Sequence, residues 1–350
     1  MPPSVISQPE TLGSSKTQCE SSRDRHYDIS VAIVSFNTRE SLRRCLTALE
    51  AEGKELAMEV FVVDNESRDG SVEMVASDFP DVRLIQAGRN LGFAAANNLV
   101  FEMARGEFTV LLNSDAFLRP DSLQRALEHM ESEPGTGLAG GRLTGEDGSW
   151  QPSVRQFPSL LNDFLSLSGL AHRFCGSRFF GRADRTWADP MKESDADWVP
   201  GAFSIIRTSV LRQVGGFDEA FFLYYEEVDL CRRIKAARYA IRYWPDVVVV
   251  HLGGESAKSI PHAVRSNSGA QLTLWRLRSG FLYYRKHHGS AAWRILAVET
   301  GWHAIRFMRN RVSTRPERCE KASESRTMIA LARQAWRETR GGRYSPPKPW

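Results

Sequence analysis

Residues 108–120 read FTVLLNSDAFLRP. An apolar run ends on Asn113-Ser114-Asp115, and two readings fit that ending. Asn, Ser and Asp form turns readily, so an ordinary strand-to-turn boundary would produce it. A carboxylate held at the carboxyl edge of a parallel sheet would also produce it, and open α/β sheets bind ligands at that edge. The neighbouring segments separate the two.

Upstream, Ile29 to Val34 is a short β-branched run that ends on Ser35-Phe36-Asn37. Ser41 to Leu49 follows with helical spacing through Leu42, Cys45, Leu46 and Leu49. Val60 to Val63 is a second apolar strand, ending on Asp64-Asn65-Glu66-Ser67, and Ser71 to Ala76 opens another helix. Val82 to Ile85 reads as a third strand, Ala94 to Met103 as a helix, and Phe108 to Leu112 as a fourth strand. Buried strands alternating with helices predict βαβ units and a mostly parallel sheet flanked by helices. Asn37, Asp64 and Asp115 then fall on one edge, around one crevice. Residues 145–200 are irregular and rich in Gly, Pro, Ser and aromatics, as expected of an excursion carrying substrate contacts. Order returns at Ala202 to Leu211, a helix follows within Phe217 to Arg238, and Ile241 to His251 is a strand.

Four stretches could carry chemistry. In VVDNESRDGS (62–71), Asp64 directly follows a buried strand. It either accepts hydrogen bonds from a nucleotide base or belongs to an Asx turn, with Asp69-Gly70-Ser71 leading into the next helix. No G-x-G-x-x-G follows the first strand and no P-loop occurs, which disfavours a dinucleotide site. Asp115 suits a hard divalent ion completed by diphosphate oxygens and water. In FDEAFFLYYEEVDLCRR (217–233), Glu226, Glu227 and Asp229 cluster at the start of a helix. The helix dipole accounts for one acid there. Three acids behind an aromatic run suit a general base whose basicity is raised by exclusion of water. In VVVVHLGGES (247–256), His251 ends an apolar strand. It is either bonded to a backbone group or aimed at a metal or diphosphate, with Gly253-Gly254 allowing close backbone approach.

Together, VAIVSFN (31–37), VVDNESRDGS (62–71), NLGFAAANN (90–98), LLNSDA (111–116), DWVPGAF (197–203), VGGFDEAFFLYYEEVDLCRR (214–233) and HLGGES (251–256) resemble the family 2 glycosyltransferases of GT-A fold. The likeness is to the bacterial rhamnosyltransferase-like branch and spans about residues 28–290. It implies a Rossmann-like nucleotide-diphospho-sugar transferase domain and an inverting transfer, assisted by Mg or Mn, from a dTDP- or UDP-sugar to a glycan or lipid-linked acceptor. By the same resemblance Ser35, Asn37, Asp64, Asn90, Gly92, Phe93, Asn97 and Asn113 would line the nucleotide. Asp115 and His251 would meet the metal, and Trp198, Gly201 and Asp229 the donor sugar and acceptor. Glu227 stands where the family usually has its base aspartate, with Glu226 the other candidate. A sugar nucleotidyltransferase would share the fold type but usually opens with a Gly-rich phosphate loop, which Ser35-Phe36-Asn37-Thr38 is not. A non-catalytic sugar-nucleotide binder would need no base.

The net charge of +4 hides an asymmetry. Residues 262–350 carry 18 Lys/Arg against 5 Asp/Glu, or +13, and residues 1–261 carry −9. Leu274, Leu277, Phe281 and Tyr284, then Ile295, Val298, Trp302 and Ile305, recur at helical spacing between arginines. These helices either pack on the catalytic domain or lie on an anionic membrane surface. The second reading is preferred because it fits a lipid-carried acceptor; nothing else favours nucleic acid. No run of 18 apolar residues suggests a spanning helix. Five widely spaced cysteines without C-x-x-C predict reduced thiols. With no apolar signal segment, they predict a cytoplasmic protein, peripheral on the inner membrane face. The expected organisation is a disordered leader (1–27), a catalytic domain (28–260), amphipathic basic helices (261–312) and a basic, partly disordered tail (313–350).

Overall fold

The computed structural model describes residues 27–52, 56–253 and 265–347, with the side chains of 265–270 set aside. The leader expected over 1–27 therefore lies almost wholly outside the described residues, as do Gly254, Glu255 and Ser256.

The first half alternates as its periodicity predicts: β1 (Ile29–Ser35), α1 (Arg39–Glu52), β2 (Met58–Asp64), α2 (Ser71–Asp78), β3 (Arg83–Gln86), α3 (Gly92–Met103) and β4 (Phe108–Asn113). These strands lie parallel in the order β3-β2-β1-β4. The remaining sheet strands are β5 (Ala116–Leu118), β6 (Thr136–Thr144), β7 (Ser194–Asp195), β8 (Phe203–Arg207) and β9 (Ala240–His251). They extend the sheet through β8, β6, β9 and β5, with β7 against β9. Here the pairing is mixed: β8 is antiparallel to both β4 and β6, while β6 and β9 are parallel.

Helices cover both faces, as a parallel sheet buried on both sides requires. Leu42, Leu46 and Leu49 of α1, Met74 and Val75 of α2, and Leu123, Leu127 and Met130 of α4 (Ser122–Ser132) pack on one face. Val100 of α3, Val210 and Leu211 of α7 (Thr208–Val214), and Leu230 and Ile234 of α8 (Glu226–Ala236) pack on the other. Between β6 and β8 the excursion carries α5 (Leu160–Leu167) and the short α6 (Leu170–Arg173). All four described cysteines are free thiols.

The C-terminal segment is three helices: α9 (Arg265–His288), α10 (Trp293–Asn310) and α11 (Pro316–Glu338). Leu277, Phe281 and Tyr284 do not face outward. They form a third core with Phe221, Val228, Ile295, Ala332 and Ala335. Part of the basic charge is spent on ion pairs, Arg278 with Glu338 at 2.5 Å and Arg306 with Glu324 at 2.7 Å.

A buried ionic cluster ties the segment to the domain. Asp229 of α8 is fully buried. Its Oδ1 accepts from His287 Nε2 and Lys286 Nζ, each at 2.8 Å, and its Oδ2 accepts from Arg233 Nε at 2.8 Å. Burial alone would raise this carboxyl's pKa, but the donors outweigh it and hold it at about 2. A carboxyl depressed in the folded state stabilises the fold above its unfolded pKa and stops doing so as pH falls through the folded value. We expect Asp229→Ala to lower stability by about 3 kcal/mol in urea unfolding at neutral pH. The gap between wild type and variant should close as pH falls from about 4 toward about 2.

Candidate active site

Strand register builds one polar edge. Ser35 lies beside Asp64, and Val34 beside Asn113. The loops after β1 and β2 are stitched together, since Asn37 donates its N–H to Ser67 Oγ (2.9 Å) and accepts from the Arg68 N–H (2.7 Å). Asn37 adopts φ +52°, a left-handed conformation that asparagine tolerates. Ser35, Thr38 and Ser114 form a buried hydroxyl chain at 3.1 and 2.9 Å that ties the ends of β1 and β4. Asp69 Oδ1 accepts from the Ser71 N–H and hydroxyl, so the turn expected before α2 is present.

Asp64 is 3% exposed, yet its Oδ1 has no hydrogen-bond partner among the described residues. The other oxygen accepts from the Ser67 N–H at 3.0 Å. A groove of about 390 Å³ opens beside it, lined by Ser67, Arg68, Gly70, Gln86 and Gly88. A buried acceptor beside an open groove is arranged to receive a donor from a ligand.

On the next turn, Asn90 Oδ1 accepts from the Gly92 N–H (2.9 Å) and Asn97 donates to the Phe93 carbonyl (2.9 Å). Gly92 has φ +81°, and a Cβ there would lie 2.3 Å from the Phe222 carbonyl. Only glycine lets α3 approach the aromatic run that leads to the two glutamates. Phe93 in turn lies against Gly201, at 3.6 Å from a Cβ built there.

Asp115 and His251 meet across the β5–β9 pairing, with His251 Nε2 3.5 Å from Asp115 Oδ1. Gln151 holds the histidine from behind, at 3.0 Å from Nδ1 and by donating to its carbonyl at 2.8 Å. Among the described residues no group of three or more His, Cys, Asp and Glu is placed to hold a metal ion by itself. A carboxylate and an imidazole at a sheet edge fit a hard cation that takes its remaining ligands from phosphate and water.

The helix α8 starts at an abrupt backbone reversal. Tyr224 and Tyr225 both have positive φ, +69° and +71°, a costly conformation for aromatic residues. This turn delivers Glu226 and Glu227 at the helix N-terminus, and the Oε2 atom of each is buried without a partner. Burial first, and the Glu227 charge second, hold the Glu226 carboxyl well above the usual range. Burial raises Glu227 too, opposed by its own N–H and by the Arg155 guanidinium. Arg155 also lies over the Trp198 ring, 5.0 Å from its centroid, and Trp198 Nε1 donates to the Gln156 carbonyl at 2.9 Å. Asp229, expected to contact donor or acceptor, has both oxygens taken by Arg233, Lys286 and His287 and anchors the helix instead.

Sequence reasoning passed over Arg155 and Gln151. Both sit in the irregular excursion, and only the fold brings them to Glu227 and His251. Phe222 was read as one aromatic in a run, and its carbonyl contact with α3 is invisible without structure.

The glycosyl transferase family 2 pattern matches residues 30–189. The N-acetylglucosaminyl-diphospho-decaprenol L-rhamnosyltransferase of Mycobacterium tuberculosis is 32% identical over 269 residues, covering 72% of this chain and 85% of that protein. Rhamnosyltransferase WbbL of Escherichia coli is 23% identical, covering 72% and 91%. A mannosyltransferase from Pyrobaculum calidifontis, solved with GDP-Man and Mn2+, superposes with TM-score 0.50 at 17% identity, covering 89% of this chain and 88% of that one. The last likeness shows the GT-A architecture alone. The chain belongs to glycosyltransferase family 2 and is a glycosyltransferase, with rhamnosyltransferases among its relatives.

Proposed function

We propose that the protein transfers a sugar, rhamnose being the one its relatives favour, from a dTDP- or UDP-linked donor to a hydroxyl of a lipid-linked glycan, with inversion in a single displacement. The observation that carries this is the pair of buried, partnerless carboxylate oxygens on Glu226 and Glu227. Two adjacent carboxyls in a dry site do not both ionise readily. Burial raises both carboxyls and the Glu227 charge raises Glu226 as well, while the Arg155 guanidinium favours the ionised form of Glu227. Glu227 is thus the group able to take the acceptor hydroxyl's proton.

The groove at Asp64 suits a pyrimidine, whose ring N–H would donate to Asp64 Oδ1. The stitched Asn37–Ser67–Arg68 loops would frame the nucleoside. Asp115 and His251 would hold a Mg or Mn ion, which neutralises charge on the departing diphosphate. Trp198, oriented by Gln156 and Arg155, would form the floor for the sugar.

The acceptor's lipid would lie near α10. Trp293, Ile305 and Met308 are 57%, 64% and 54% exposed on α10 with Arg294 and Arg309, and Arg311 and the 81% exposed Val312 follow just past its end. An apolar stripe flanked by arginines suits the interface of an anionic bilayer. This face, rather than the one read from residues 274–284, is available for docking. No described helix is long and apolar enough to cross a membrane.

Glu227→Gln is expected to lower transfer by a factor of roughly 10² to 10⁴ while calorimetric donor affinity stays near normal. Retained turnover, with loss in Glu226→Gln instead, would move the role to Glu226. Asp115→Ala should abolish the gain in donor affinity that Mn provides; an unchanged Mn dependence would dismiss Asp115 as a ligand. In flotation with anionic liposomes, the wild type should float and an Ile305→Glu/Met308→Glu variant should not. Equal behaviour of the two would remove the docking face.

A further inference from the structure

Beyond Tyr225 lies a second cavity, of about 200 Å³, where α5 meets α9 and α10. Its walls include Asp163, Tyr225, Arg276, Gly280, Ile295 and Glu299. Tyr225 is the chain neighbour of Glu226, so the cavity abuts the turn that presents the glutamate pair.

Glu299 is the unexplained residue. It is 6% exposed, the one acid of α10, and lies one helical turn from the buried Ile295. Its Oε1 is 3.5 Å from Arg276 Nη1, a long contact, and its Oε2 is buried with no hydrogen-bond partner. Leaving a carboxylate oxygen buried and unpaired is destabilising. An aliphatic residue would serve the packing better. Asp163, on the facing α5, accepts from the Tyr284 hydroxyl. Burial, aided by Glu299, pushes its carboxyl up to about 6 despite that bond. The fold therefore keeps two acids at one cavity at the expense of its own stability, as sites for external ligands do.

The chemistry of the walls narrows the ligand. Two carboxyl groups disfavour a phosphate. A bare metal ion lacks a third acid, His or Cys among the described residues. At roughly 30 Å³ per water, the space equals about six or seven waters, enough for one small ring. Acceptors at Asp163 and Glu299, a donor at Arg276 and an apolar flank at Ile295 match a ring bearing several hydroxyls.

We propose that this cavity is a subsite for a sugar ring of the acceptor, held through its hydroxyls by Glu299, Asp163 and Arg276. The proposal rests on the transferase reading above and adds where the acceptor's sugar binds. Glu299 and Asp163 are here positioning residues; neither takes part in bond making.

The test is saturation-transfer NMR on the full chain with n-octyl N-acetyl-β-D-glucosaminide, in wild type, Glu299→Leu, the cavity-filling Ile295→Trp, and the surface control Glu131→Ala. Ring-proton transfer is expected in wild type and the control, and binding roughly tenfold weaker in the other two. The melting temperature of Glu299→Leu should rise, because an unpaired buried carboxylate is removed. Equal binding in all four proteins overturns the proposal, as does the absence of ring-proton transfer in wild type. A fall in melting temperature for Glu299→Leu also overturns it, since the acid would then be structural. Donor hydrolysis without acceptor is measured alongside. Its presence with no glycoside binding leaves the transferase reading standing and removes the subsite alone.

Discussion

The buried charge of Asp229 is the constraint on which the functional end of the molecule depends. One carboxylate with no access to water must be compensated, and its three partners come from two different places. Arg233 lies one turn along the same helix, while Lys286 and His287 lie at the end of α9. Satisfying Asp229 therefore fixes the C-terminal segment against the helix whose first residues are Glu226 and Glu227. The same docking brings Tyr225 against Gly280 and seals the third core around Phe281 and Tyr284. Burial raises the proton affinity of both glutamates.

The other side of the crevice depends on ordinary parallel-sheet physics. β1, β2 and β4 end in register, so Ser35, Asp64 and Asn113 arrive together without any special device. The antiparallel β9 brings His251 back along β5 to face Asp115. The two halves of the proposed chemistry, stabilising the leaving diphosphate and accepting the proton, thus sit on separately built walls. Gly92 is where those walls touch, through Phe222. A substitution in α3 would be felt at the base, although no side chain of α3 needs to reach it.

Much of this was legible in the sequence because the signals were local. The apolar runs at 29–34, 60–63 and 108–112, each stopped by small polar residues, specified parallel strands and the edge on which Asn37, Asp64 and Asp115 fall. β6 was not legible. Its Thr136–Thr144 sequence is rich in glycine, which reads as a turn. The reason for the glycines is crowding: a Cβ on Gly141 would sit 2.4 Å from the Val247 carbonyl, and one on Gly140 2.8 Å from Val199. The insertion of β8 between β4 and β6 was equally hidden, since antiparallel pairing over such a separation leaves no periodic trace. In the C-terminal segment the apolar spacing was visible but its direction was not. Leu277, Phe281 and Tyr284 could equally have met lipid or protein, and the deciding partners lie far away in Phe221 and Val228. The partners of Asp229 were hidden for the same reason, because two of its three cations arrive from residues 286–287.

The proposed single displacement, with one carboxylate acting as base, needs no covalent sugar on the protein. The most direct test is the anomeric configuration of the product, read from the one-bond carbon–proton coupling at the transferred sugar's anomeric centre and compared with the donor. The account predicts inversion. A product that retains the donor's configuration would contradict it, because a lone proton acceptor at Glu227 has no route to that outcome.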